Sequence, residues 1–180
     1  MQNVRTAQLW RRFDALEQAL CLCINGTSRH ASIRGLFVLV SRLGDGLVWY
    51  LLMLAFALGS EAGARIAAQM CVAALLGLAT YRQLKHRLVR ERPYLSHHGI
   101  RLGTAPLDRY SFPSGHTLHA TCFTTIATAH VPELAAVLLP FALLVATSRV
   151  VLGLHYPTDV VAGAALGGGI ATTVLEYLPV

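Results

Sequence analysis

Lysine is almost missing from this chain: Lys85 stands alone beside fourteen arginines. Charge of either sign is scarce as well, at 13% Asp, Glu, Lys and Arg, against about 25% in an ordinary soluble domain. With 54% hydrophobic residues among 180 and a mean hydropathy of +0.53, that shortage argues against a surface bathed in water and for one largely bathed in lipid. The formal charge is +6, yet no solvated basic face with interleaved aromatics is visible, which argues against a nucleic-acid binder. The charges fall in loops between apolar runs, where anionic lipid or phosphate is the fitting partner. Cysteine is also sparse. Cys21 and Cys23 are too closely spaced for a zinc pair and no second pair follows, so neither a metal site nor a disulfide is expected. Cysteines within apolar runs pack as small hydrophobes.

The opening stretch MQNVRTAQLWRRFDALEQAL has no apolar run ahead of its charges and is not read as a cleaved signal peptide. Leu9, Phe13, Leu16 and Leu20 recur at helical spacing, so residues 1–34 are expected to form an amphipathic N-terminal arm. A helix lying on the membrane and a helix packed on the protein's own core fit this pattern equally.

Five apolar segments follow, Leu36–Leu58, Ile66–Tyr81, Gly115–Val131, Leu134–Gly153 and Val160–Leu175. Each is near the length of about 20 residues that a span requires. The sequence therefore predicts an all-α polytopic membrane bundle, a single domain over 1–180 with about five transmembrane helices. In the first segment, Ser41-Arg42-Leu43-Gly44-Asp45-Gly46 is expected to break the helix, with the span starting only at Leu47. Residues 82–113 make the one long polar loop, and alternating spans bring it to the same face as 148–159. Gly163 and Gly167 stand at small-xxx-small spacing in the last segment and are read as helix packing.

Three polar clusters share that face. In the first, Lys85 and Arg92 are two turns apart if the second helix runs on past Tyr81, and Pro93 disfavours helical backbone at Arg92. Taken alone, this cluster reads as a juxtamembrane basic patch on anionic headgroups. In the second, Pro113-Ser114-Gly115-His116, Ser114 is placed to cap the third apolar helix. A helix N-terminus attracts anions, and Gly115 removes the side chain that would hold a phosphate away from its amides. The third runs from Ser148 and Arg149 to His155 and Asp159. A charge such as Arg149 at the end of a span is costly without a partner. Asp159 near a helix N-terminus complements the dipole in any case, whereas His155 has no such structural excuse. Three cations, a helix N-terminus, two histidines and a carboxylate form the set that phosphoryl transfer requires.

The patterns Lys-x6-Arg-Pro, Pro-Ser-Gly-His and Ser-Arg-x5-His-x3-Asp, in this order over residues 85–159, resemble the three-part signature of the type 2 phosphatidic acid phosphatases. These are membrane lipid phosphate phosphatases related to soluble bacterial acid phosphatases and vanadium haloperoxidases. The resemblance implies that His155 attacks phosphorus and forms a phosphohistidine, that Asp159 orients its ring, and that His116 protonates the leaving oxygen and then activates water. It implies phosphate binding by Lys85, Arg92, Arg149, Ser114 and the Gly115 amide, with no metal or other cofactor, since side chains provide the cations. The implied substrate is a membrane lipid phosphate or diphosphate, isoprenoid or glycerolipid. The same residues also fit a lipid phosphotransferase, and a non-catalytic lipid-binding scaffold is the third reading. The family implies a bacterial inner-membrane location and mostly extracytoplasmic work. Against that, all Lys and Arg except Arg65 fall on the motif face, which the positive-inside rule assigns to the cytoplasm.

Overall fold

Each long apolar run becomes a helix in the computed structural model, which describes residues 2–179, with side chains from Arg12 onward except that of Phe13. The N-terminal arm is α1, Gln2–Gly26, followed by α2, Ala31–Arg42, and α3, Val48–Gly59. Ser60 takes extended backbone, and its hydroxyl accepts from the Gly63 amide at 3.0 Å, capping α4, Glu61–Leu88. At 1.5 Å per residue the 28 residues of α4 reach about 42 Å, more than the roughly 30 Å of a bilayer core. Its final turns, with Lys85, therefore extend beyond the apolar layer. Val89 ends the helix in the left-handed region, and Arg92 is extended ahead of the short α5, Pro93–Ser96, as the following proline requires.

Beyond the loop lie α6, Gly115–His130, α7, Ala135–Val151, and α8, Pro157–Tyr177, the last with Pro157 in its first turn. Four helical stretches are long and apolar enough to cross a membrane: Ala31–Gly59, Glu61–Ser96, Pro132–Val151 and Pro157–Tyr177. The fifth expected span, α6, is shorter, with 16 residues, or about 24 Å. It runs through the interior of the bundle, burying Leu118, Ala120, Cys122, Phe123, Ile126 and Ala127.

The expected break in the first span is present: between α2 and α3 the backbone leaves helical geometry at Gly46, with φ 140 in a region that only glycine enters freely, and the chain kinks there. The second part starts at Val48, next to the expected Leu47, and the part before the kink, Ala31–Arg42, is longer than the short partial helix expected.

Trp49 anchors the core, tilted against Phe123 and Phe141 with ring centroids 5.5 Å away in each case. Met70, Val145 and Ala171 complete it from α4, α7 and α8. Gly163 and Gly167 of α8 lie against the backbone of α6, where a Cβ would run into the carbonyls of Ser114 and Leu118. Leu51, Leu139, Leu143 and Val161 face outward, as lipid-facing helices require.

On α1 the side turned to the protein is polar. Glu17, Cys21 and Asn25 are buried while Leu16 and Leu20 are exposed. Asn25 ties the arm to the site face, donating to the carbonyls of Arg101 and Val151 at 2.9 Å each. The arm thus packs on the protein and keeps its leucines outward; Leu9 and Phe13 are side chains outside the described ones.

Candidate active site

One cavity of about 730 Å³ opens on the motif face, and Lys85, Arg92, Gly115, His116, Arg149 and His155 all line it. Its upper wall comes from the loop residues Leu107, Asp108, Arg109 and Tyr110, and its lower wall is apolar, with Trp49, Leu75, Leu78 and Phe123. A charged mouth above an apolar wall suits a molecule with a phosphate at one end and hydrocarbon at the other.

Each motif side chain has a local reason for its position. Arg92 is held by its extended backbone at the start of α5. Its Nη1 donates to the Leu154 carbonyl at 2.8 Å and lies 3.3 Å from His155 Nε2. His155 sits in the turn between α7 and α8, which Gly153 makes possible at φ 72. The other ring nitrogen, Nδ1, is 3.5 Å from Asp159 Oδ2 and makes no hydrogen bond among the described residues. Burial, reinforced by Arg149 and Arg92, holds the His155 imidazole well below the usual histidine range. Burial beside these cations thus disfavours the charged imidazolium.

Asp159 is fully buried and its carboxylate accepts two hydrogen bonds, from the Tyr156 amide at 2.8 Å and from Arg90 Nη1 at 2.6 Å. Arg90 also donates to Glu17 Oε2 at 2.5 Å and stacks its guanidinium 4.1 Å from the centre of the Tyr156 ring. Sequence reasoning missed both Arg90 and Glu17. Arg90 lies inside the first motif at a position the pattern leaves free, and Glu17 comes from a separate helix.

Asp108 was missed too, and it occupies the centre of the cation set. Both its carboxylate oxygens accept from Lys85 Nζ at 2.8 Å, and Oδ1 accepts from Arg92 Nη2 at 2.7 Å. Burial pushes the Asp108 carboxyl upward, but the bonds and charge of Lys85 and Arg92 outweigh it and hold the group below the usual carboxylate range. Asp108 is thus an ionised group resting where two motif cations point.

Arg149 is buried, donates Nη1 to the Ser41 hydroxyl, and leaves its Nε without a partner among the described residues. Ser114 sits at the N-cap of α6, but its hydroxyl does not cap the backbone. It pairs with the Thr117 hydroxyl at 2.9 Å, behind the cavity wall. The Gly115 backbone, not the Ser114 side chain, therefore forms the wall here. His119, one turn along α6, also lines the cavity, with its ring nitrogens near the Gly115 and Ala74 carbonyls at 3.1 and 3.3 Å.

The PAP2 superfamily model matches residues 47–179, and the chain belongs to that superfamily. It is 38% identical over 117 residues to the decaprenylphosphoryl-5-phosphoribose phosphatase of Mycolicibacterium smegmatis, a match covering 64% of this chain and 62% of that protein. It is 32% identical over 146 residues to the undecaprenyl-diphosphatase of Sulfolobus acidocaldarius, covering 78% of this chain and 68% of that one. The crystal structure of Aquifex aeolicus LpxE shares its fold with a TM-score of 0.78 and 28% identity, over 88% of this chain and 94% of that one. The match with the mycobacterial relative thus spans less than two thirds of that protein's length. The fold is that of a multi-pass membrane protein of this superfamily.

Proposed function

We propose that this protein removes phosphate from a membrane lipid phosphate or diphosphate, by way of a phosphohistidine at His155. One observation carries the reading: the buried His155 imidazole, its Nε2 3.3 Å from Arg92, lines the same cavity as Lys85, Arg92 and Arg149. In the first step Nε2 bonds to phosphorus and the bond from phosphorus to the leaving oxygen breaks, that oxygen being the lipid alcohol's in a monophosphate and the bridging one in a diphosphate. That oxygen keeps the electron pair and takes a proton from His116. Asp159 accepts from the His155 Nδ1–H and stabilises the positive charge that grows on the ring. In the second step water bonds to phosphorus and gives its proton to His116, and the phosphorus–nitrogen bond breaks to release phosphate. Lys85, Arg92 and Arg149 neutralise the equatorial oxygens, with the Gly115 amide beside them and Ser114 shaping the turn that presents it.

The same reading takes the chain as one phosphatase domain, with the 82–113 loop over the active-site face, in the inner membrane of a bacterium. The names of the relatives support isoprenoid phosphates as substrates. The test is phosphate release in detergent from short-chain phosphatidate and from undecaprenyl diphosphate. His155→Ala is expected to lose activity by roughly 10³-fold or more, the scale on which removal of a nucleophile acts. Activity within a few-fold of wild type in that variant contradicts the mechanism.

A further inference from the structure

The break in the first span has no part in the roles assigned above, and residues 41–46 precede the stretch matched by the superfamily model. An aspartate within an apolar helix is expensive unless it meets a partner, so Asp45 calls for a physical reason. The break is a packed feature. The indole N–H of Trp49 donates to the Gly44 carbonyl at 3.0 Å, satisfying a carbonyl at the kink. Val145 of α7 fills the space that a side chain on Gly44 would need. Gly46 takes its positive φ between these contacts.

Two polar groups are delivered to the site by this arrangement. The Ser41 hydroxyl accepts from Arg149, and Asp45 Oδ1 lies 3.2 Å from His116 Nε2. Asp45 lines the cavity alongside His116. The pairing repeats, on the second histidine, what Asp159 does for the first, with the carboxylate coming from a different helix.

We propose that Asp45 is a positioning residue for His116, holding its ring by Nε2–H so that Nδ1 carries the transferred proton. The inference rests on the reading of His116 as proton donor. As the bond from phosphorus to the lipid oxygen breaks, Nδ1 gives its proton to that oxygen and the ring becomes neutral, still donating Nε2–H to an Asp45 that stays ionised. When water attacks the phosphohistidine, Nδ1 takes the proton back and Asp45 stabilises the imidazolium. The turn at 41–46 would then be a fourth part of the active site, beside the three motifs.

A proton donor matters most when the leaving group is poor. The experiment therefore compares kcat/KM for a short-chain alkyl phosphate lipid with that for p-nitrophenyl phosphate, whose leaving group needs little protonation. Wild type, Asp45→Asn, Asp45→Glu, His116→Gln and the Asp45→Asn/His116→Gln double variant are measured, with vanadate binding as the check on folding. Asp45→Asn is expected to lose about 10- to 100-fold on the alkyl substrate, within the range general acid catalysis supplies. Its loss on the aryl substrate is expected to be at least tenfold smaller. Asp45→Glu should recover part of the alkyl activity, and the double variant should be no slower than His116→Gln.

Equal losses on both substrates, or a double variant slower by the product of the single effects, would overturn the inference. Should Asp45→Asn bind no vanadate, Asp45→Glu carries the comparison: its shifted carboxylate is expected to slow the alkyl substrate selectively, and an even loss contradicts the role. If His116→Gln shows the selective alkyl loss and Asp45→Asn does not, the Asp45 inference alone fails. If His116→Gln shows none, the proton-donor reading fails, and the Asp45 inference with it.

Discussion

Asp108 grips Lys85 and Arg92 together, so an anion that binds to both cations has to displace a carboxylate of like charge. Converting Asp108 to Asn removes that charge and leaves a weaker acceptor in its place. We expect Asp108→Asn to bind vanadate about tenfold more tightly, a change of about 1.4 kcal/mol, as measured by inhibition of phosphate release. Weaker vanadate binding would mean that Asp108 organises the cations rather than competing for them. The motif side chains were legible in the sequence because their spacing is local. Lys-x6-Arg-Pro and Ser-Arg-x5-His-x3-Asp each lie within a short stretch of chain, and the structure brings Lys85, Arg92, Arg149 and His155 to one cavity, with Asp159 beside His155. Their partners were not legible. Asp45 and His116, or Glu17 and Arg90, lie far apart in sequence and meet only through the packing of helices. Ser114 shows the opposite case, since its N-cap position was readable but the choice of Thr117 over the backbone depends on the folded turn.

At the scale of helices, the pairing of α6 with α8 sets the distance between the two proposed chemical groups. The N-terminus of α6 carries His116 and that of α8 carries Asp159, and the Ser114 amide donates to the Asp159 carbonyl at 3.0 Å. The sequence marked Gly163 and Gly167 as packing positions, and the structure puts both against α6 backbone. A side chain at Gly167 has to push Leu118 away, and with it the start of α6. Gly167→Val is expected to destabilise the protein by about 1–3 kcal/mol, as overpacking does, and to lower activity in the fraction that stays folded. Gly168→Ala, which meets open space, serves as the control and should leave both within experimental scatter of wild type. Thermal unfolding in detergent, paired with phosphate release, separates the two; equal behaviour of the two variants contradicts the packing role. Helix boundaries were less legible. The α4 helix continues for two turns beyond its apolar run because tertiary contacts of Lys85 with Asp108 and Tyr110 hold that end in place. The first span is kinked at its polar interruption, where Gly46 takes a non-helical conformation.

In the molecule as a whole, the phosphate-facing groups collect at one end of a bundle whose flanks are apolar. The composition announced lipid contact, and the alternation of spans put the 82–113 loop and the 148–159 segment on one face, as observed. The arm α1 joins this end through Glu17, Arg90 and Asp159, a chain of three charged side chains that no local pattern displays. The central claim is a covalent phosphate on His155. With water activation removed by His116→Gln, p-nitrophenyl phosphate should still phosphorylate the protein, because its leaving group needs no proton, and the intermediate should persist. Acid-avoiding proteolysis and mass spectrometry of that variant are expected to find phosphate on His155 and on no other residue, with none in a His155→Ala/His116→Gln double variant. Phosphate on another side chain, or an unmodified His155 during continued turnover, would contradict the account.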